Sequence, residues 1–411
     1  MVAPSNDAGI KKKRARPLSL PQLLFFLNFF PSATMINSRP LSYESLKTVL
    51  KYIDPNKRFL LSARCPSIRS ADKATPLIID TFDYDENCFE VNRTVYKIGI
   101  CKKYLNGAEI PPKARNHNAQ GGLSYDLDQY GFKDLSGENT LTPGDVDLRK
   151  PNDEAWRTRN MREDNQIAEY EQALADTRSR LRTANGEPYI ERLEYTKKLH
   201  EAVKYLTGKL LGNRLHPVAI GRFRVYDEVM RFPVGLRLDV QSLSVSNIQI
   251  VQESLTPLLT RTVKTLNVEV KSAGDFECAM LKNAEILNLE DAGSGFIRPP
   301  MVLNLTNLKA NIIIVRWTIE DFMTVVRWWV EVVKKEVGTS YKFIAMQDKS
   351  IIHLIESIKE QYEEAKEIGE LSLAIPTKYG SSINVSMSEL ESSFNKDAYN
   401  IKFTVDPDLP V

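Results

Sequence analysis

The feature that most constrains this 411-residue chain is a six-residue apolar pattern that recurs in its second half. It reads Ile220-x-x-Phe223-x-Val225, Val240-x-x-Leu243-x-Val245, Val263-x-x-Leu266-x-Val268, Ala284-x-x-Leu287-x-Leu289 and Leu305-x-x-Leu308-x-Ala310. The middle positions 223, 243, 266, 287 and 308 stand 20, 23, 21 and 21 residues apart. The last two apolar positions of each unit are two residues apart, as on one face of a strand. Short strands repeated at this interval predict parallel neighbours whose apolar positions merge into one core. A sixth unit is expected at Tyr341-x-x-Ile344-x-Met346. Helices are expected over Tyr195–Leu211, Ile248–Thr260, Ile319–Val337 and Lys349–Ala365, from apolar residues at helical spacing.

A 20–29-residue period with this motif is the leucine-rich-repeat signature. The expected fold is therefore α/β. A short helical segment (35–70) precedes a strand-and-loop region (71–150) and a charged helix (151–186). An irregular, leucine-rich-repeat-like solenoid of parallel strands (187–411) follows, with an antiparallel cap near Leu371–Ile375, Ile383–Ser386 and Ile401–Val405. The competing expectation is an ordinary α/β sandwich with chance spacing. Residues 155–183 lack Gly and Pro, and Ile167, Tyr170, Leu174 and Leu181 trace a seam. That seam suits either a coiled-coil partner or a helix lying along the next domain.

Charge and residue content exclude several function classes. Lys and Arg total 55 against 53 acidic residues. Without the first 34 residues the balance is 50 against 52, so the body has no electrostatic case for nucleic acid or an anionic membrane. Cys65, Cys88, Cys101 and Cys278 form no CxxC pair, and the four histidines have no metal-ligand spacing. No phosphate-binding glycine loop or nucleophile elbow occurs. The expectation is a non-enzymatic chain with no metal and no cofactor. Its cysteines read as reduced, which fits the cytoplasm or the nucleus. At the N-terminus, Lys11-Lys12-Lys13-Arg14-Ala15-Arg16 precedes the largely apolar Leu18–Phe30. Three readings stand open: a secretory signal, a nuclear address, or a dispensable extension ahead of Met35.

Residues 41–53 read as an amphipathic helix, with Leu46, Val49, Leu50 and Ile53 on one face and Asp54-Pro55 as its break. Leu41, Glu44, those four apolar residues and Asp54-Pro55 resemble the opening, hydrophobic spacing and turn of an F-box. Ser42, Arg58 and Ile68 stand where that motif has Pro, Leu and Trp. A wider resemblance, to the nematode F-box C family, begins at Met35-Ile36-Asn37-Ser38-Arg39-Pro40. It continues through Tyr96-Lys97-Ile98-Gly99, Asp128-Gln129-Tyr130-Gly131-Phe132, Leu141-Thr142-Pro143-Gly144-Asp145 and Phe232-Pro233-Val234-Gly235-Leu236. The resemblance implies a substrate-recognition adaptor of a Skp–cullin–F-box ubiquitin ligase. Leu41, Glu44, Leu46, Val49, Leu50, Ile53 and Pro55 would then meet a Skp-like adaptor protein. The alternative is a stand-alone interaction scaffold with no ligase coupling. In either case the outward strand positions Arg222, Arg224, Ser244, Asn267, Glu269 and Asn288 are the expected surface for an unknown protein substrate.

Overall fold

The computed structural model describes residues 41–85, 87–101, 111–128, 130, 132–134, 140–149, 196–226, 229–291, 295–346, 349–389 and 398–407. The N-terminal extension and the charged helix expected over 155–183 lie outside these residues. One compact unit runs from Tyr43 onward.

Three helices come first: α1 (Tyr43–Tyr52), α2 (Pro55–Arg64) and α3 (Arg69–Ala74). The break between α1 and α2 also starts the second helix. The Asp54 carboxylate accepts from the N–H groups of Asn56 and Lys57, and Pro55 occupies the first turn, where its missing N–H costs nothing. A meander follows, β1 (Ile78–Asp85), β2 (Cys88–Val91) and β3 (Thr94–Lys97), then helices α4 (Pro112–Ala119) and α5 (Leu199–Leu211). From there strands alternate with helices or turns: β4 (Val218–Val225), β5 (Leu238–Val245), α6 (Ile248–Leu255), β6 (Thr265–Val270) and β7 (Ile286–Asp291). They continue as β8 (Lys309–Val315), α7 (Ile319–Arg327), β9 (Ser340–Met346) and α8 (Leu354–Gln361). Four antiparallel strands close the chain: β10 (Lys366–Gly369), β11 (Ser372–Pro376), β12 (Ser381–Glu389) and β13 (Ala398–Pro407).

These thirteen strands join one mixed sheet in the order β10-β11-β12-β13-β9-β8-β7-β6-β5-β4-β1-β2-β3, and among the described residues two short ladders lie outside it, Asp126–Leu127 with Lys133–Asp134 and Val146–Asp147 with Val229–Met230. Its centre, from β1 to β9, is parallel, and β4 to β9 lie in chain order. The register aligns Phe82, Phe223, Leu243, Leu266, Leu287, Ala310 and Tyr341 as one continuous rung. All seven are buried. Residues three before and two after each rung position sit on the same side. There Ile79, Ile220, Val240, Val263 and Ala284 are buried, as are Tyr84, Val225, Val245, Val268, Leu289, Ile312 and Phe343.

This register corrects the sequence reading in three places. β1 belongs to the run, because Ile79-x-x-Phe82-x-Tyr84 fits the pattern, so residues 78–85 are not part of a separate region. In the fifth unit the rung residue is Ala310, two residues beyond Leu308. The position three before it holds Asn307, which is 3% exposed. Its amide donates to the carbonyls of Leu281 at 2.8 Å and Ala284 at 2.7 Å, so a buried polar residue stands where apolar matching required a hydrocarbon. In the sixth unit the rung is Tyr341, with Gly338 three before it, and Ile344 turns to the opposite face. Two helices also end early. Ile319–Arg327 passes into a π-turn at Trp328–Val332, and Pro257 confines α6 to Leu255 with a 3₁₀ turn beyond it.

The core has aromatic clusters at its two ends. Phe82 stacks on Phe223 at 5.2 Å and meets Phe232, and Tyr84 stacks on Phe89. At the far end Trp317, Phe322, Phe343 and Phe403 pack ring to ring, with Trp329 against Tyr341. Aliphatic rungs fill the stretch between.

Buried charge fastens the helical front to this core. Arg58, 1% exposed, donates from Nε to Asp72 Oδ1 at 2.8 Å and also to the carbonyls of Thr75 and Pro76. Arg214, beyond α5, donates to Asp72 Oδ2 at 3.1 Å. One carboxylate thus holds two guanidinium groups, from Arg58, 14 residues before it, and from Arg214, 142 residues after it. A second joint brings together Thr142–Asp145, Lys204 and Arg231. Asp145 Oδ1 accepts from Lys204 at 2.7 Å, and Oδ2 accepts from Arg231 at 2.9 Å and from the Thr142 N–H at 2.7 Å. Burial would raise the Asp145 carboxyl, but these bonds outweigh it and hold the group below its ordinary value. Gly144 has φ +98°, and a Cβ there would lie 2.8 Å from both Phe232 O and Val234 N, so glycine is required where Thr142–Asp145 meets Phe232–Gly235.

Removing Asp72 would strand two buried guanidinium groups. Asp72→Ala is expected to destabilise the chain by about 3–5 kcal/mol, read as a fall in urea midpoint. Two half-buried lysines set a pH dependence. Burial, with Arg214 adding, pulls Lys73 down to about 8, and burial does the same to Lys335, which packs over Trp329 and Tyr341. Between pH 8 and the ordinary lysine value the unfolded chain holds more protons, so stability rises with pH. Burial raises the Cys278 thiol and the phenols of Tyr84, Tyr96, Tyr341 and Tyr362, which reverses the slope at higher pH as the unfolded chain loses those protons first. Melting scans should therefore show stability rising from about pH 8 to 9, and Lys73→Met with Lys335→Met should flatten the rise.

Candidate functional site

Among the described residues, helices cover the rung side of the parallel strands, and the opposite side stays open. Alternation along β6 shows this: Leu266, Val268 and Val270 are buried, while Thr265, Asn267 and Glu269 are half-exposed. All six substrate-surface residues expected from sequence, Arg222, Arg224, Ser244, Asn267, Glu269 and Asn288, lie on this open face.

Register gathers them into rows across the strands. One row runs Arg224, Ser244, Asn267, Asn288, Asn311, Lys342. Its centre is an amide ladder. Asn311 Nδ2 donates to Asn288 Oδ1 at 2.7 Å, and Asn288 Nδ2 donates to Asn267 Oδ1 at 2.6 Å. Asn267 Nδ2 ends the chain on Ser244 Oγ at 3.0 Å. An amide has two protons and two acceptor lone pairs, so each rung keeps capacity for a further partner. Arg224 anchors one end. Tyr226 and Asp83 hold its guanidinium above the ordinary value, and it donates to Asp83 at 3.2 Å. The next row holds Glu269, Glu290, Ile313 and Ile344. These rows floor a shallow trough of about 550 Å³.

Sequence reading missed Asn311, Ile313, Lys342 and Ile344 as surface residues, because the fifth and sixth units were framed on the wrong residues; Glu290, in the correctly framed fourth unit, was passed over. The asparagines would have found the frame. Asn267, Asn288 and Asn311 each follow a rung residue directly, which places the fifth rung at Ala310.

The second candidate surface is the helical front. Val49 is 44% and Tyr52 80% exposed on α1, and Leu60 and Leu61 are exposed on α2. Of the expected adaptor-binding residues, Leu41 and Glu44 are exposed, and Leu46 and Ile53 are half-buried. Leu50, at 1%, and Pro55 are packed inside the chain, so neither can meet a partner directly. Arg58 faces the Asp72 joint and contributes nothing to the outer surface. Ile68 is half-buried beside Cys65, which is exposed and in no disulfide among the described residues.

Among the described residues no cluster of three or more His, Cys, Asp or Glu side chains could hold a metal, and no helix is long and apolar enough to cross a membrane. Residues 198–347 match the model of a domain of unknown function, DUF3557. The match begins at the start of α5 and ends just after β9, so it spans the parallel run β4–β9 and the amide ladder. Nothing matches among curated proteins or solved structures.

The ladder is a surface feature and contributes little to the core. Asn288→Leu should shift stability by less than about 1 kcal/mol in a denaturant titration, leaving a folded chain with its row interrupted.

Proposed function

We propose that this chain is a non-enzymatic protein-interaction subunit that recognises a substrate protein for a Skp–cullin–F-box ubiquitin ligase. On this reading the run from β1 to β9 is an irregular, leucine-rich-repeat-like solenoid. Its open face grips the substrate, and α1 and α2 dock on a Skp-like adaptor by laying apolar side chains into a groove. The chain would supply effective concentration, holding a target near a conjugating enzyme, with the covalent chemistry left to other subunits. The cytoplasm or nucleus is the matching compartment. No nucleic acid, membrane or cofactor is required.

The observation that carries this reading is the apolar surface at the front. Val49, Tyr52, Leu60 and Leu61 are left to solvent by a helical unit whose inward face is already satisfied by Leu50, Phe59 and the Asp72 joint. The joint also changes the meaning of the Arg58 departure. An arginine that faces inward leaves the outer surface free to bind. A specific observation favours the stand-alone scaffold instead: Leu50, one of the four residues of the amphipathic face, is sealed in.

Co-purification with a Skp-type adaptor separates the two. The wild-type chain should retain the adaptor, and Val49→Asp with Leu60→Asp should reduce recovery at least tenfold while melting as wild type does. A wild-type chain that never retains the adaptor leaves the scaffold reading.

A further inference from the structure

We infer that the trough on the open sheet face takes an extended peptide segment of the partner that carries a Lys or Arg two residues from a branched aliphatic residue. The inference rests on the reading above that this face grips protein, and it names the chemistry that the face selects.

Charge gives the first half. Glu269 and Glu290 are directly opposed on neighbouring strands, an arrangement that repels. Lys271 answers Glu269 at 3.3 Å, but among the described residues no cation pairs with Glu290. A cation from outside relieves the repulsion and finds a carboxylate with nothing to displace. Hydrocarbon gives the second half. The same row continues as Ile313 and Ile344, aliphatic side chains on the face turned away from the core. Both are half-buried where an aliphatic partner side chain can cover them.

Spacing joins the halves. Neighbouring strands stand ~4.8 Å apart, so the midpoint between Ile313 and Ile344 lies ~7 Å from Glu290 across the sheet. Two residues of extended chain span ~6.6 Å, and residues two apart project to the same side. A basic residue over Glu290 therefore sets the side chain two positions along it over the isoleucine pair. The amide ladder runs parallel to this row. Asn267 spends its protons on Ser242, Leu243 and Ser244, but Asn288 and Asn311 each keep one amide proton, and the carbonyl oxygens keep lone pairs, for the peptide groups of a segment crossing the strands, which have no partners in an extended chain. The ladder thus holds any sequence, and the Glu–Ile row chooses among them.

The test is selection from a random dodecapeptide phage library on the immobilised full-length chain, followed by fluorescence polarisation with a labelled synthetic peptide from the enriched set. Enriched peptides should carry Lys or Arg two positions from Ile, Val or Leu. Glu269→Lys with Glu290→Lys should weaken binding at least tenfold, and replacing the peptide's basic residue by Asp should restore it. Asn288→Leu, which stays folded, should weaken basic and acid-swapped peptides alike. No enrichment, enrichment of acidic sequences, or binding indifferent to the charge reversal each overturns the inference. Val49→Asp with Leu60→Asp should leave peptide binding unchanged, so loss of adaptor docking and loss of peptide selection are read in separate assays.

Discussion

The whole molecule depends on one requirement: every strand of the parallel run must bury its rung residue and the residue two positions on under the same layer of helices. A rung from Phe82 to Tyr341 meets that requirement strand after strand. Its consequence is asymmetry. Doubly wound α/β sheets cover both faces, and their strands are apolar throughout. Here alternate residues are Arg, Ser, Asn, Thr and Glu, so the second face cannot be packed and is left as surface. The open face therefore follows from the core's own demands.

What attaches to the ends of this run is fastened differently. The antiparallel strands β10–β13 extend the sheet through backbone pairing, with β13 against β9. The helical front is bolted by charge, through Asp72 between Arg58 and Arg214. Arg58 is satisfied within the front itself, by Asp72, Thr75 and Pro76, so the tie to the rest of the chain is Arg214, whose buried guanidinium loses its carboxylate if the front is not in place, at a cost of about 3–5 kcal/mol. It makes the orientation of α2 against the sheet specific in a way that a greasy contact would not.

Much of this was legible in the sequence, and the failures have physical causes. Apolar spacing located β4 to β7 and their order, because Phe223, Leu243, Leu266 and Leu287 obey the simple rule that strands hide alternate residues. The rule failed at Asn307, which is buried because it caps two carbonyls, and at Gly338, which has no side chain to place. The place of β1 in the parallel run escaped notice because its neighbour in space follows more than a hundred residues later, a distance that no local period spans. At the front, the amphipathic pattern correctly marked a helix but could not say which of its apolar residues the chain keeps for itself. Leu50 went inward and Val49 stayed out. The inward role of Arg58 was not readable at all, since its partners are a carboxylate 14 residues away and a second arginine far along the chain.

The row of asparagines has a sense of direction. Each amide passes its proton toward β5, from Asn311 to Asn288 to Asn267 to Ser244, so one end of the row is donor-rich and the other acceptor-rich. A peptide backbone is itself vectorial, and laying one across such a row in the two opposite senses gives two unequal sets of contacts. The surface is therefore handed along its length: it distinguishes a segment from the same segment read backwards before any side chain is consulted.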